Sequence, residues 1–178
     1  MTPVPTLETP RFTLRAIEPS DTPALLTTLG DEAQCRYLTR PKFDSEEELA
    51  GWLFDPDWNG RTWIAEDKTS GEVAARFVAV PAHEDGVAEL GWITVIARQG
   101  EGVASECTAA LIDHLFAAED HRKLTAEVDV DNTPSIRLLE KLGFTREAHL
   151  REHETTHIGL RDVLLYGLLK SEWQAARG

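Results

Sequence analysis

A chain of 178 residues, 42% of them hydrophobic, can close a core without staples, so one domain spanning 1–178 is expected. A formal net charge of −13 opposes the phosphate neutralisation on which nucleic-acid binding depends, and favours a cationic partner. Two cysteines, Cys35 and Cys107, are too few for a disulfide framework, and no apolar run approaches the roughly 20 residues of a membrane span.

The opening Met1 to Pro5 has neither a basic region nor an apolar stretch, so no export signal and a cytoplasmic location are expected. Arg11 to Ala16 alternates apolar and polar residues, the period of a half-buried strand. Ser20 and Asp21 then start a helix with Leu25, Leu26 and Leu29 as its apolar stripe and Gly30 as its stop. A second helix opens on a capping box of Ser45 with Glu48, turns Leu49, Trp52 and Leu53 inward, and ends before Pro56. Strands follow at Thr62 to Glu66, Val73 to Val80 and Val87 to Ile96, separated by turns at Asp67 to Gly71 and His83 to Gly86, which is an antiparallel meander.

At the end of that third strand a β-rich run meets Gly100 and Gly102, and a helical pattern of Val103, Cys107, Leu111, Ile112 and Leu115 begins at once. The first N–H groups of such a helix have no partner within it. With the positive end of the macrodipole they attract anions, and two glycines let a bulky anion come close. Cys107 falls on the inward side of this helix, which makes it a core thiol. Lys123 to Val130 alternates again, completing a β-α-β unit that implies a parallel pairing. A helix with Pro134 in its first turn runs to Gly143, and strands around Phe144 and from Val163 to Leu168 finish the chain.

The spacing Gln99-x-x-Gly102-x-Ala104 is similar to the acyl-CoA motif of the GNAT superfamily of N-acetyltransferases, and the residues from Gly100 to Glu106 resemble its Rim-type branch, which acetylates protein N-termini. Glu89 to Trp92 sits where that family carries an E-x-G-aromatic pattern. Asp131 to Phe144 resembles its N-x-x-S/A-x-x-L-x-x-x-x-G-F segment, and Arg161 to Trp173 the closing strand of the Rim-type branch. The order β-α-α-β-β-β-α-β-α-β-β extends the resemblance to nearly the whole chain. It implies an α+β GNAT fold: a mixed, mostly antiparallel twisted sheet of about seven strands flanked by about four helices.

The same resemblance implies acetyl-CoA as cosubstrate and acetyl transfer to a primary amine by direct attack on the thioester, with a protein N-terminal α-amine as the expected acceptor. A polyamine or antibiotic acceptor, and a non-catalytic acyl-CoA sensor, are the alternatives. The implied partners are the amine acceptor alone, with no nucleic acid and no membrane, in a monomer or homodimer. Val95, Ile96, Gln99, Gly100, Gly102, Val103, Ala104, Asn132 and Ser135 would bind the cofactor, Glu89 would draw the proton from the amine, and Ser135 would face the departing sulfur. Little basicity is needed: an α-amine of pKa about 7.8 is partly neutral at cytoplasmic pH, whereas a lysine near 10.4 costs about 4 kcal/mol to deprotonate. Two positions depart from the family pattern. Leu139 stands where many members have a general-acid tyrosine, and Ile96 where the Rim-type branch has proline.

His153 to His157 spells H-E-x-x-H, which on a helix would aim two imidazoles at one zinc ion. Threonines fill it, Gly159 follows, and strand patterns flank it, so it is expected in a hairpin together with His149, with no metal bound. Trp52, Trp63, Trp92 and Phe77 fall on apolar faces and are expected in the core.

Overall fold

A computed structural model describes residues 4–177; Met1 to Pro3, on which part of the export-signal expectation rests, lie outside them. Eight strands form one sheet in the order β1-β2-β3-β4-β5-β6-β8-β7. They are β1 (Leu7–Glu8), β2 (Phe12–Ala16), β3 (Arg61–Asp67), β4 (Val73–Pro81), β5 (Val87–Thr94), β6 (Lys123–Asp129), β7 (Thr145–Thr156) and β8 (Gly159–Leu169). Among the described residues five α-helices accompany them: α1 (Thr22–Leu29), α2 (Glu46–Leu53), α3 (Val103–Ala117), α4 (Thr133–Lys141) and α5 (Lys170–Ala175). The two elements beyond the expected count are the two-residue β1, which pairs with β2, and the six-residue α5. Both are too short to print a period on the sequence.

Every strand pairing is antiparallel except β5 with β6, the crossover through α3 that the β-α-β pattern implied. Two apolar cores lie on opposite faces of the sheet. One packs Phe12, Trp63 and Phe77 against Cys107, Leu111 and Phe116 of α3 and Leu139 of α4. The other packs Ile64 and Val95 against Leu25 and Leu29 of α1 and Leu49 and Leu53 of α2. Each such fully buried large side chain contributes roughly 1.5–3 kcal/mol.

Three expectations change in detail. Ser45 caps α2 by accepting from the Glu48 N–H at 3.1 Å, but the Glu48 carboxylate takes the Asp44 N–H at 2.8 Å, so the box closes one residue early. β5 ends at Thr94, because the Ile96 N–H donates to the Thr28 hydroxyl of α1 at 2.8 Å and the chain enters a 3-10 turn over Ile96–Arg98. Trp63 and Phe77 are buried and Trp92 is half-buried, but Trp52 is 40% exposed. It sits on the solvent edge of α2 against Phe43, with ring centroids 5.2 Å apart.

Candidate active site

The parallel contact between β5 and β6 lasts for three residue pairs, Val87 with Lys123, Ala88 with Leu124 and Glu89 with Thr125. Beyond Glu89 each strand is held by its other neighbour. β5 stays in register with β4 up to Ala75 opposite Thr94, and β6 with β8 up to Asp129 opposite Val163. The sheet therefore forks, and the backbone edge of β5 beyond Glu89 faces a cleft of about 960 Å³ instead of a partner strand. Irregular backbone edges of this kind are costly unless something pairs with them, which makes the fork a natural place for an extended polar ligand.

One wall of the cleft is the start of α3. Gly100 has φ 80° and Gly102, the residue that caps α3, has φ 78°. These are left-handed values that cost other L-residues about 1–2 kcal/mol each. No side chain caps the helix, so the N–H groups of Val103, Ala104 and Ser105 are left to a ligand. A Cβ on Gly100 would meet nothing within 4 Å, so the space over the turn is open.

Charged contacts beneath hold the turn in place. Arg98 pairs with Asp67 at 2.7 Å and Glu101 at 2.8 Å, and Arg11 donates to the Glu101 carbonyl at 3.0 Å and to Glu106 at 2.7 Å. The Arg98 guanidinium, with the Ser70 and Thr69 N–H groups, holds the Asp67 carboxyl down to about 2.

The sequence-derived candidates divide as follows. Gln99, Gly100, Gly102, Val103 and Ala104 line the cleft together, as do Asn132 and Ser135 from the start of α4 across it. Asn132 is the cap of α4, its side-chain oxygen accepting from the Ser135 N–H at 3.3 Å. Glu89, Val95 and Ile96 are absent from the lining. Val95 is buried with its N–H on the Ala74 carbonyl at 2.9 Å, and the Ile96 N–H is already given to Thr28. Leu139 is fully buried in the α3/α4 core and has no access to the cleft.

Glu89 occupies the base of the fork, half-buried. Along β5 the core residues Ala88 and Leu90 point to the α3 side, so Glu89, Gly91 and Ile93 point to the α1/α2 side. By the same alternation Thr125, Glu127 and Asp129 of β6 share that face. Burial, and then the charge of Glu127, raise the Glu89 pKa above its ordinary value.

The sequence reading missed Glu127, which lines the cleft opposite, although its alternation with buried Ala126 and Val128 was already visible. It also missed Tyr37, Trp52, Trp58 and Arg76, which line the α1/α2 half. Tyr37 spans the cleft, donating its hydroxyl to the Asp131 carbonyl at 3.0 Å. Its partner lies 94 residues away, a contact that no local pattern encodes.

The histidines are held apart. His153 and His157 follow the course of β7 and its turn, where strand geometry separates the imidazoles. His149 contacts Asp162 at 2.7 Å, His157 contacts the Leu38 carbonyl at 3.0 Å, and His153 lies 4.0 Å from Glu127. Among the described residues no group of three His, Cys, Asp or Glu side chains converges as a metal site would.

A forked sheet with a glycine-opened helix start on one side and acidic groups at the fork is an arrangement suited to holding an acyl-pantetheine and an amine. The family model described as an acetyltransferase (GNAT) domain matches residues 11–145, and the chain belongs to that family. It is 31% identical over 174 residues to the uncharacterized N-acetyltransferase p20 of Bacillus licheniformis, covering 94% of this chain and 98% of that one. A shorter similarity, 32% over 79 residues and 44% of each chain, links it to the ribosomal-protein-serine acetyltransferase of Escherichia coli K12. Among solved structures, a GNAT acetyltransferase from Bacillus anthracis superposes with TM-score 0.87 at 21% identity, covering 94% of this chain and all of that one. The spermidine N-acetyltransferase of Vibrio cholerae, solved with CoA and spermine, superposes with TM-score 0.79 at 23% identity, covering 92% and 98%. The protein is thus a GNAT N-acetyltransferase, and members of the family use acetyl-CoA.

Proposed function

We propose that the whole chain acts as one acetyltransferase unit that takes acetyl from acetyl-CoA to the α-amine of a protein N-terminus. The carrying observation is the fork, with the glycine-opened start of α3 on one side, Glu127 on the other and Glu89 at its base. The N–H groups from Val103 to Ser105, with Gln99, Gly100 and Gly102, would take the pyrophosphate. The unpaired edge of β5 would take the pantetheine amides. Val95 and Ile96 belong to the scaffold that bends the chain into this turn.

Acetyl-CoA supplies the activated acyl group and a thiolate that leaves readily. The protein's part is to orient the amine over the thioester and to accept its proton. Glu89 is the base, raised in pKa by burial and by Glu127, which brings a carboxylate nearer to the working pH. Ser135 lines the cleft from the first turn of α4 and would face the departing sulfur, and with Leu139 in the core no tyrosine would assist it from that position. The thiolate leaves largely unaided or through Ser135 and water.

Similarity to the E. coli ribosomal-protein enzyme and the Rim-type spacing from Gly100 to Glu106 support the peptide acceptor. The likeness to the spermidine enzyme favours a polyamine instead, a second reading to which the net charge of −13 lends support. Buried thiols at Cys35 and Cys107 fit a reducing cytoplasm as the setting.

Mass-spectrometric detection of acetylated product across peptides with Ala, Ser, Thr or Met N-termini, spermidine and an aminoglycoside tests this reading. It expects acetylation of the peptide α-amine. Turnover confined to polyamines would replace it, and no turnover with any amine beside intact CoA binding would leave a sensor.

A further inference from the structure

Two charged residues are counted among the buried ones, Asp21 at 2% and Arg76 at 7% exposure. Asp21 is satisfied by a two-pronged contact with Arg15 at 2.9 and 2.8 Å. Arg76 is not: among the described residues it makes no ion pair, and its buried Nε has no hydrogen-bond partner. Burial alone pushes its pKa down to about 10, with no neighbouring carboxylate to hold it up. A guanidinium retains its charge at any physiological pH, so the protein carries a desolvated cation whose favourable contact is the Trp52 indole, 4.8 Å from Arg76 Cζ to the ring centroid.

Its position explains what it awaits. Arg76 stands opposite Ile64 on β3 and Ile93 on β5, and so projects to the α1/α2 face, where it lines the acceptor half of the cleft with Trp52, Trp58 and Val78. Glu89 lies on the same face of β5, four residues before Ile93, about 13 Å along the strand. The residue between them on that face is Gly91, over which the Val78 side chain leans: a Cβ there would stand 3.0 Å from Val78 Cγ2. This face of the sheet thus carries an unpaired guanidinium fork inside the cleft at one end and, just beyond its lining, the Glu89 carboxylate at the other, with a track of about 13 Å between them.

We propose that the acceptor is an anionic amine, whose carboxylate Arg76 grips while its amino group reaches Glu89. This rests on the reading of this half of the cleft as the acceptor site. The fork geometry of guanidinium suits a carboxylate held by two parallel N–H donors, and a buried unpaired cation repels a polyamine. The carboxylate could belong to a free amino acid or to an acidic side chain near a peptide N-terminus. The length of the track favours the second, because the amine and carboxylate of a free α-amino acid are separated by a single carbon.

The test compares kcat/KM for a Ser-Asp peptide, its Ser-Asn counterpart and free serine. In parallel, thermal shifts with the same three compounds are measured in the presence of CoA, for wild type, Arg76→Lys and Arg76→Met. We expect the Ser-Asp peptide to be preferred over Ser-Asn by about tenfold or more, the yield of one charged hydrogen-bonded contact. Arg76→Lys should keep part of that ratio, and Arg76→Met should bring it to about one. Arg76→Met should also melt higher than wild type, since it removes a buried charge without a partner. Preferential stabilisation by Ser-Asp without turnover would uphold the anion site while overturning the assignment of acetyl transfer. Indifference of wild type to Asp against Asn in both assays, or an unchanged ratio in Arg76→Met, overturns the proposal. A preference for free serine assigns the carboxylate to an amino acid and keeps Arg76 as its anchor.

Discussion

At the scale of single residues the decisive question is what Glu89 does. Its folded pKa lies above the ordinary carboxylate value because burial and Glu127 disfavour its charge. The sign follows: ionisation is penalised by folding, so this group weakens stability as pH rises through its folded pKa. Glu89→Gln should therefore melt no lower, and at neutral pH slightly higher, than wild type. As a base it works when ionised, so kcat/KM should fall in acid with a midpoint above the ordinary value near 4.3. Glu89→Gln should lose about a hundredfold at neutral pH, a deficit that shrinks as the acceptor amine loses its proton unaided near pH 8 to 9. A deficit equal at every pH up to about 9.5 would make the residue structural, and full activity at neutral pH would place the base elsewhere, with Glu127 the first candidate. Glu89 was legible because its E-x-G-aromatic setting resembles a family pattern. Arg76 was not, because a lone arginine inside the apolar run Val73 to Val80 does not reveal which face it takes or what covers it until the helices are in place.

The elements show the same division. α3 declared itself through glycines followed by an apolar period, and the structure places Val103, Cys107, Leu111 and Leu115 inside as the spacing required. Trp52 went astray because a tryptophan at core spacing on a helix of eight residues can equally hang over its edge. The H-E-x-x-H string shows why a motif needs its context: it runs off the end of β7 into the turn, with His157 spent on the Leu38 carbonyl. Replacing His153 and His157 together by Gln should leave acetyl transfer within about twofold, and EDTA should not inhibit it. EDTA inhibition reversed by zinc would contradict the hairpin assignment.

For the molecule as a whole, the order of elements along the chain followed from alternation and turn chemistry and a parallel pairing from the β-α-β pattern, but the insertion of β8 between β6 and β7 did not. Nor did the extent of the fork. It depends on which neighbour each strand prefers after Glu89, a competition among β4, β6 and β8 over long sequence separations that local periodicity does not record. Burial on both faces also sets the chemistry of the thiols. Cys107 is pushed up to about 12 and Cys35 is raised as well, so native protein should resist alkylation by iodoacetamide and react at both sites only in denaturant. Rapid labelling of native protein would mean that the two cores open readily.

Binding of acetyl-CoA in the fork requires the start of α3 to be a pyrophosphate site and not merely a strand-to-helix turn, and Ser105 separates the two. It is half-buried, lines the cleft and lies in the first turn of α3. An acidic residue there suits the helix dipole, stabilising an empty turn by about 0.3–1 kcal/mol, yet repels a bound pyrophosphate. Calorimetric titration of CoA into wild type and Ser105→Asp, beside their melting curves, is the most direct measurement. We predict that Ser105→Asp melts at or above wild type while its CoA affinity falls about tenfold or more. Unchanged affinity in a folded Ser105→Asp protein would contradict the site.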